Sequence, residues 1–133
     1  MNQKLRNFKN NFKCMQWKLI SNISDYGKRG VPIQFVVEDA DWAIRFVGKN
    51  IKNEIDLIYP GNMEITTKPY KALDNIVHFG SQYMWLNWGK YMSKENQYIT
   101  TFFHGKPEDG EEVRNHIDTF LESIPRLNKV ITS

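Results

Sequence analysis

Asn96-Gln-Tyr-Ile-Thr-Thr-Phe-Phe-His-Gly-Lys-Pro-Glu-Asp-Gly110 is the stretch on which the fold turns. Tyr98 to Phe103 is an apolar and β-branched run without polar alternation, the pattern of a strand buried on both faces of a parallel sheet. His104-Gly-Lys-Pro107 breaks the run. Asp109 and Glu112 then stand at capping-box spacing, so a helix is expected to open there with Asp109 at its cap. A polar cluster at the carboxyl end of a buried parallel strand is where open α/β sheets place their ligands.

Working outward, further strand-like runs cover Pro32 to Glu38, Met63 to Thr67, Asn75 to Phe79 and Lys129 to Thr132. Helical spacings fill the gaps between them. One set starts at Asp39 or Ala40, shows Ala43, Phe46 or Val47, Ile51, Ile55 and Ile58 on one face, and ends at Pro60-Gly-Asn62. A second, with Ser81 as its cap, carries Met84, Trp85, Trp88, Tyr91 and Met92. A third, after Asp109, carries Val113, Ile117, Phe120, Leu121 and Ile124. Strands alternating with helix-length patterns predict crossover units and an α/β, Rossmann-like open parallel sheet of about five strands flanked by helices.

Ahead of this body, Leu5, Phe8, Phe12, Met15 and Leu19 recur at spacings of three and four, interleaved with Lys4, Arg6, Lys9, Lys13 and Lys18. Residues 4–23 are therefore an amphipathic helix. Its stripe either packs on the body, leaving a solvated basic face, or lies on an anionic membrane surface. Ser24 to Gly30 reads as a linker, which divides the chain into a basic arm, 1–30, and a body, 31–133.

The 133 residues, 25% charged and 41% hydrophobic, suit one globular domain. The net charge of +3 conceals an asymmetry: residues 1–30 hold seven Lys or Arg against one Asp, and residues 31–133 hold eleven against fourteen acids. A nucleic-acid-binding body carries its positive charge on the folded face, so no nucleic-acid partner is expected. Cys14 is the only cysteine, which rules out an internal disulfide, suits a reducing cytosol and points to inert packing or surface. No apolar run approaches the ~20 residues needed to span a bilayer, and no signal-peptide core is present.

In a parallel sheet all carboxyl strand ends share one rim. That rim collects Glu38, Asp39 and Asp41, then Lys68, then His78, Gly80 and Ser81, then His104, Gly105 and Lys106. The first turn has no Gly-x-Gly-x-x-Gly, and carboxylates there repel a pyrophosphate. Only Gly80-Ser81 offers room for an anion. Carboxylates that accept hydrogen bonds from hydroxyls, with Trp42 as a flat apolar face, suit a polyhydroxylated neutral ligand. His104, directly after a buried strand, is placed for acid–base or hydrogen-bonding work near neutrality. Each residue also has a plainer reading: first-turn charge for the acids, a satisfied strand-end group for His78, core for Trp85 and Trp88, surface for His116.

Val31-Pro-Ile-Gln-Phe-Val-Val-Glu-Asp-Ala-Asp-Trp-Ala-Ile44, His78-Phe-Gly-Ser-Gln-Tyr-Met-Trp-Leu-Asn-Trp88 and Phe103-His-Gly-Lys-Pro-Glu-Asp-Gly110, in this order, resemble the N-terminal half of bacterial GT-B, group 1 retaining glycosyltransferases. The resemblance covers roughly residues 30–133. It implies the acceptor-side half of a hexosyltransferase that moves a sugar from a nucleotide-sugar to a hydroxyl acceptor, with the nucleotide-sugar as co-substrate and no other cofactor or metal. By similarity His104 approaches the donor sugar. Glu38 to Trp42, His78, Gly80, Ser81, Gly105 and Lys106 line the substrate side. The first turn lacks the glycine pair common in that superfamily, and no two glutamates stand eight positions apart. The donor-binding half is thus expected outside this chain, which is read as a truncated piece, catalytically silent alone and prone to self-association through uncovered apolar surface. Cytoplasmic residence is expected, at the inner membrane face if residues 4–23 touch lipid. The alternatives are a non-catalytic carbohydrate- or nucleotide-binding Rossmann-like module and a membrane-peripheral interaction domain.

Overall fold

Five strands, β1 (Ile33–Val36), β2 (Met63–Thr66), β3 (Ile76–Phe79), β4 (Gln97–Phe102) and β5 (Lys129–Thr132), form one sheet of order β2-β1-β3-β4-β5 in the computed structural model. Every neighbouring pair is parallel. The structure describes residues 3–23, 32–39, 43–103 and 107–132. The linker expected at Ser24 to Gly30 lies outside them, as do Asp41, Trp42, His104, Gly105 and Lys106. The helices are α1 (Gln3–Ile23), α2 (Ala43–Ile58), α3 (Gln82–Trp88) and α4 (Glu111–Ser123). The sheet is the Rossmann-like α/β layer expected from the sequence, with the N-terminal helix in place.

The winding reverses between β1 and β3, because the chain goes out to β2 and returns across β1. At such a switch point the flanking connections leave to opposite faces and open a crevice at the carboxyl edge. Side-chain alternation sorts the core accordingly. Val36, Val77, Phe79 and Tyr98 pack with Cys14 of α1, Met84, Trp85 and Trp88 of α3, and Phe120 of α4. Phe35, Val37 and Met63 pack on the other face with Ile44, Ile51 and Ile55 of α2. The return from β2 to β3 contains only a 3-10 turn, Pro69–Lys71, and α1 packs on that turn and on α3. Trp85 anchors the larger cluster: its ring N–H donates to Ser123 Oγ at 2.8 Å, and its ring packs against Phe79 and Tyr98.

Four local expectations need correction. The α1 stripe does not pack on the body: Leu5, Phe8, Phe12, Met15 and Leu19 are exposed, and Asn10 and Cys14 take the buried side. On α2, Phe46, Val47 and Ile58 are exposed, and the buried position is Gly48. A Cβ on Gly48 would meet the Phe35 ring at 2.7 Å, so the ring occupies the volume a side chain there would need. Asp109 is not a cap. It closes a 3-10 turn, Pro107–Asp109, and the cap position of α4 is Gly110, at φ +124°, a backbone that disfavours any side chain. Leu121 of α4 and Ile124, just past its end, are exposed. Finally, β4 is not buried on both faces. Tyr98 and Thr100 are buried, but Ile99 and Thr101 are half-buried because α2 covers the β1–β2 side of their face. Ile76 and Ile131 share that open face.

Candidate functional site

A cavity of about 650 Å³ lies beside the switch point, at the carboxyl edge of the sheet. Glu38 and Asp39 reach it from the end of β1, and Thr67 from the end of β2. Tyr83, Met84, Asn87 and Trp88 of α3 form a second wall. Gln3, Arg6 and Asn10 of α1 form the third. Of the residues expected to bind substrate, Glu38 and Asp39 are therefore brought together with one another and with an amide- and hydroxyl-rich wall.

Amide hydrogen bonds hold the α1 wall in place. Asn10 Nδ2 donates to the Asn87 carbonyl at 3.0 Å, and Gln3 Nε2 to Asn87 Oδ1 at 3.2 Å. Gln3 Nε2 also reaches Asn7 Oδ1, one turn along, at 2.9 Å. This docking is polar, which is why the buried side of α1 is not its apolar stripe. Tyr83 is half exposed and stacks on His116 of α4, with ring centroids 4.5 Å apart. His116 was expected at the surface. It is half-buried, with Nε2 buried and unpartnered, and burial holds its pKa below the usual histidine value.

His78, Gly80 and Ser81 do not join this cavity. His78 is on the α2 face of the sheet, its ring 4.9 Å from that of Phe35 and its Nε2 2.9 Å from Thr101 Oγ1. Desolvation there lowers its pKa and favours the neutral ring. Gly80 is a packing glycine: a Cβ there would lie 2.3 Å from Ile44 Cγ2. Its N–H donates to the Val36 carbonyl at 2.9 Å, so it has no free donor to offer a phosphate. Ser81 sits at the cap position of α3 in extended conformation, but its buried hydroxyl makes no capping bond. The anion room expected at Gly80-Ser81 is thus filled by packing.

Gln82 was not singled out in the sequence, although it is fully buried. Its side-chain amide grips the backbone of Phe103 from both sides: Nε2 donates to the Phe103 carbonyl at 2.6 Å, and the Phe103 N–H donates to Oε1 at 3.0 Å. The exit of β4, immediately before His104, is thereby fixed to the first turn of α3. His104 itself lies outside the described residues.

The cavity offers acceptors at Glu38, Asp39 and Gln3, both donors and acceptors at Asn10, Asn87, Thr67 and Tyr83, a guanidinium at Arg6, and an apolar floor at Met84 and Trp88. That mixture matches a ligand with many neutral hydroxyls and one apolar ring face. Among the described residues no group of three or more His, Cys, Asp or Glu is placed to hold a metal ion. Comparison with protein-family models found no match, and neither the curated proteins nor the solved structures searched yielded one.

Proposed function

We propose that this chain is the acceptor-binding half of a glycosyltransferase and that the cavity at the carboxyl edge holds the sugar acceptor. Glu38 and Asp39 accept hydrogen bonds from acceptor hydroxyls, Asn87 and Tyr83 fix the ring's orientation, and Trp88 with Met84 supports its apolar face. A nucleotide-sugar is presented by a second, donor-binding half. The acceptor oxygen bonds to the anomeric carbon as the bond from that carbon to the nucleotide's phosphate oxygen breaks, the departing phosphate taking the acceptor's proton, with configuration retained. His104, by resemblance, stands at the donor sugar. The setting is the cytoplasm.

One observation carries this reading. The cavity at the switch point is walled by two acids against one guanidinium, Arg6, with amides and aromatic surface, and the neighbouring helix start at Gly80 is packed shut to phosphate. Such a site discriminates against nucleotides and favours polyols. Calorimetric titration of the chain with neutral oligosaccharides and, separately, with nucleotide-sugars tests it. Saccharide binding weakened by Glu38→Gln and Asp39→Asn, with no nucleotide binding and no sugar transfer by the chain alone, supports the half-enzyme. Tight nucleotide binding would instead identify a self-sufficient nucleotide-binding module and overturn the proposal.

A further inference from the structure

We infer that α1 is a membrane-surface helix whose outer face inserts into an anionic bilayer while its inner face walls the cavity. Leu5, Phe8, Phe12, Met15 and Leu19 are between 48% and 67% exposed. At 3.6 residues per turn they fall within an arc of about 80°, a continuous apolar stripe along the helix. Phe8 and Phe12 stack along it, with ring centroids 6.3 Å apart. The orientation is fixed. Cys14 and Asn10 are buried on the opposite side, and Asn10 and Gln3 are hydrogen-bonded to α3, so turning the stripe inward would break those contacts.

Charge selects the occupant. The helix contains no acidic residue, and exposed Lys4 and Lys9 flank the stripe on its two sides. Residues 1–30 carry seven basic residues against one acid. A second copy docked stripe to stripe would bring two such basic segments together, whereas anionic headgroups attract each of them. Leu, Phe and Met side chains reach the shallow depth of about 5–10 Å at which interfacial helices bury their apolar face. The helix is not long and apolar enough to cross a membrane, so it lies in the plane of the surface. About one helix diameter, ~10 Å, then separates lipid from the cavity wall formed by Gln3, Arg6 and Asn10. The inference is independent of what the cavity binds.

Co-sedimentation of the full chain with phosphatidylcholine vesicles, with and without roughly a third phosphatidylserine, tests it. The chain should pellet with the anionic vesicles and stay in solution with the neutral ones. Phe8→Ser/Phe12→Ser/Leu19→Ser and, separately, Lys4→Glu/Lys9→Glu should each lower the bound fraction by at least about tenfold, with unchanged circular dichroism because these side chains are exposed. Undiminished pelleting of either variant, or failure of the parent chain to pellet, overturns the assignment. So does a concentration-dependent dimer that the serine substitutions abolish in a chain that never binds vesicles.

Discussion

The two ends of the one sheet use polar side chains in opposite ways. At the amino edge, amides are spent on the backbone. Asn96 Oδ1 accepts from the Asn75 N–H at 3.0 Å, and its Nδ2 donates to the Ala72 carbonyl at 2.8 Å and to the Tyr98 hydroxyl at 3.1 Å. Asn128 accepts from the Tyr98 N–H, and the Tyr98 hydroxyl donates to the Ser93 carbonyl. Burial of that hydroxyl pushes its pKa up to about 12. At the carboxyl edge, by contrast, Glu38, Asp39, Tyr83 and Asn87 converge on a cavity. Apart from Gln82, which braces Phe103, these carboxyl-edge side chains are left facing a cavity, whereas those at the amino edge close loops that register the strands.

The largest effects should come from breaking each end's own brace. Asn96→Ala removes the side-chain partner of a buried N–H and of a carbonyl, takes away the donor to a Tyr98 hydroxyl that keeps its bond to Ser93, and should cost about 3 kcal/mol, lowering Tm by roughly 10 °C. Gln82→Ala removes both side-chain hydrogen bonds to the Phe103 backbone and should cost about as much in thermal unfolding. The two differ in what else they do. Asn96→Ala should leave saccharide affinity unchanged in chain that remains folded, whereas Gln82→Ala should also alter the backbone signals of the segment after Phe103. Equal consequences at both ends would erase the distinction.

A smaller loss is expected from Gly48→Ala. Helix propensity favours alanine by up to ~1 kcal/mol, but the clash with the buried Phe35 ring costs about 1–3. Net destabilisation by about 1 kcal/mol in urea unfolding is expected, and Phe35→Leu in the same chain should reduce it. A net gain in stability would show that the ring yields freely.

His78 gives a gentler dependence on pH. Its folded pKa lies below the ordinary 6.5, so between the two values the unfolded chain binds a proton that the folded chain refuses. Stability is therefore full above pH 6.5 and falls as pH drops below it. His116 acts with the same sign. His78→Gln should flatten part of the slope in thermal melts between neutral and mildly acid pH, and an unchanged slope contradicts the burial assigned to the ring. Last come Glu38→Gln and Asp39→Asn, each within about 0.5 kcal/mol of the parent in stability. Each should nonetheless weaken saccharide binding about tenfold.

Much of this architecture was legible because buried strands advertise themselves. The continuous runs around Phe35, Val77 and Ile99 and the helix-length gaps between them are enough for a parallel sheet. What misled was hydropathy at positions where something else decides. On α1, amide bonds to Asn87 turn the apolar stripe outward, a choice no pattern of Leu and Phe encodes. On α2, the core position is a glycine, which carries no hydrophobic signal. On β4, a full apolar run does not say whether a helix covers the second face. Glu38 and Asp39 were legible from topology alone, as residues just past a strand at the rim. Gln3, Arg6 and Asn10 were not, since they come from a helix distant in sequence, and Gln82 looked like any polar residue in a helical first turn.

The most direct test is an amide-resolved NMR titration of the chain with a neutral oligosaccharide. Shifts should cluster at Glu38, Asp39, Thr67, Tyr83 and Asn87, the carboxyl-edge cavity. Shifts clustering instead at Lys90, Asn96, Arg126 and Asn128, which line the cavity of about 430 Å³ at the amino edge, would contradict it.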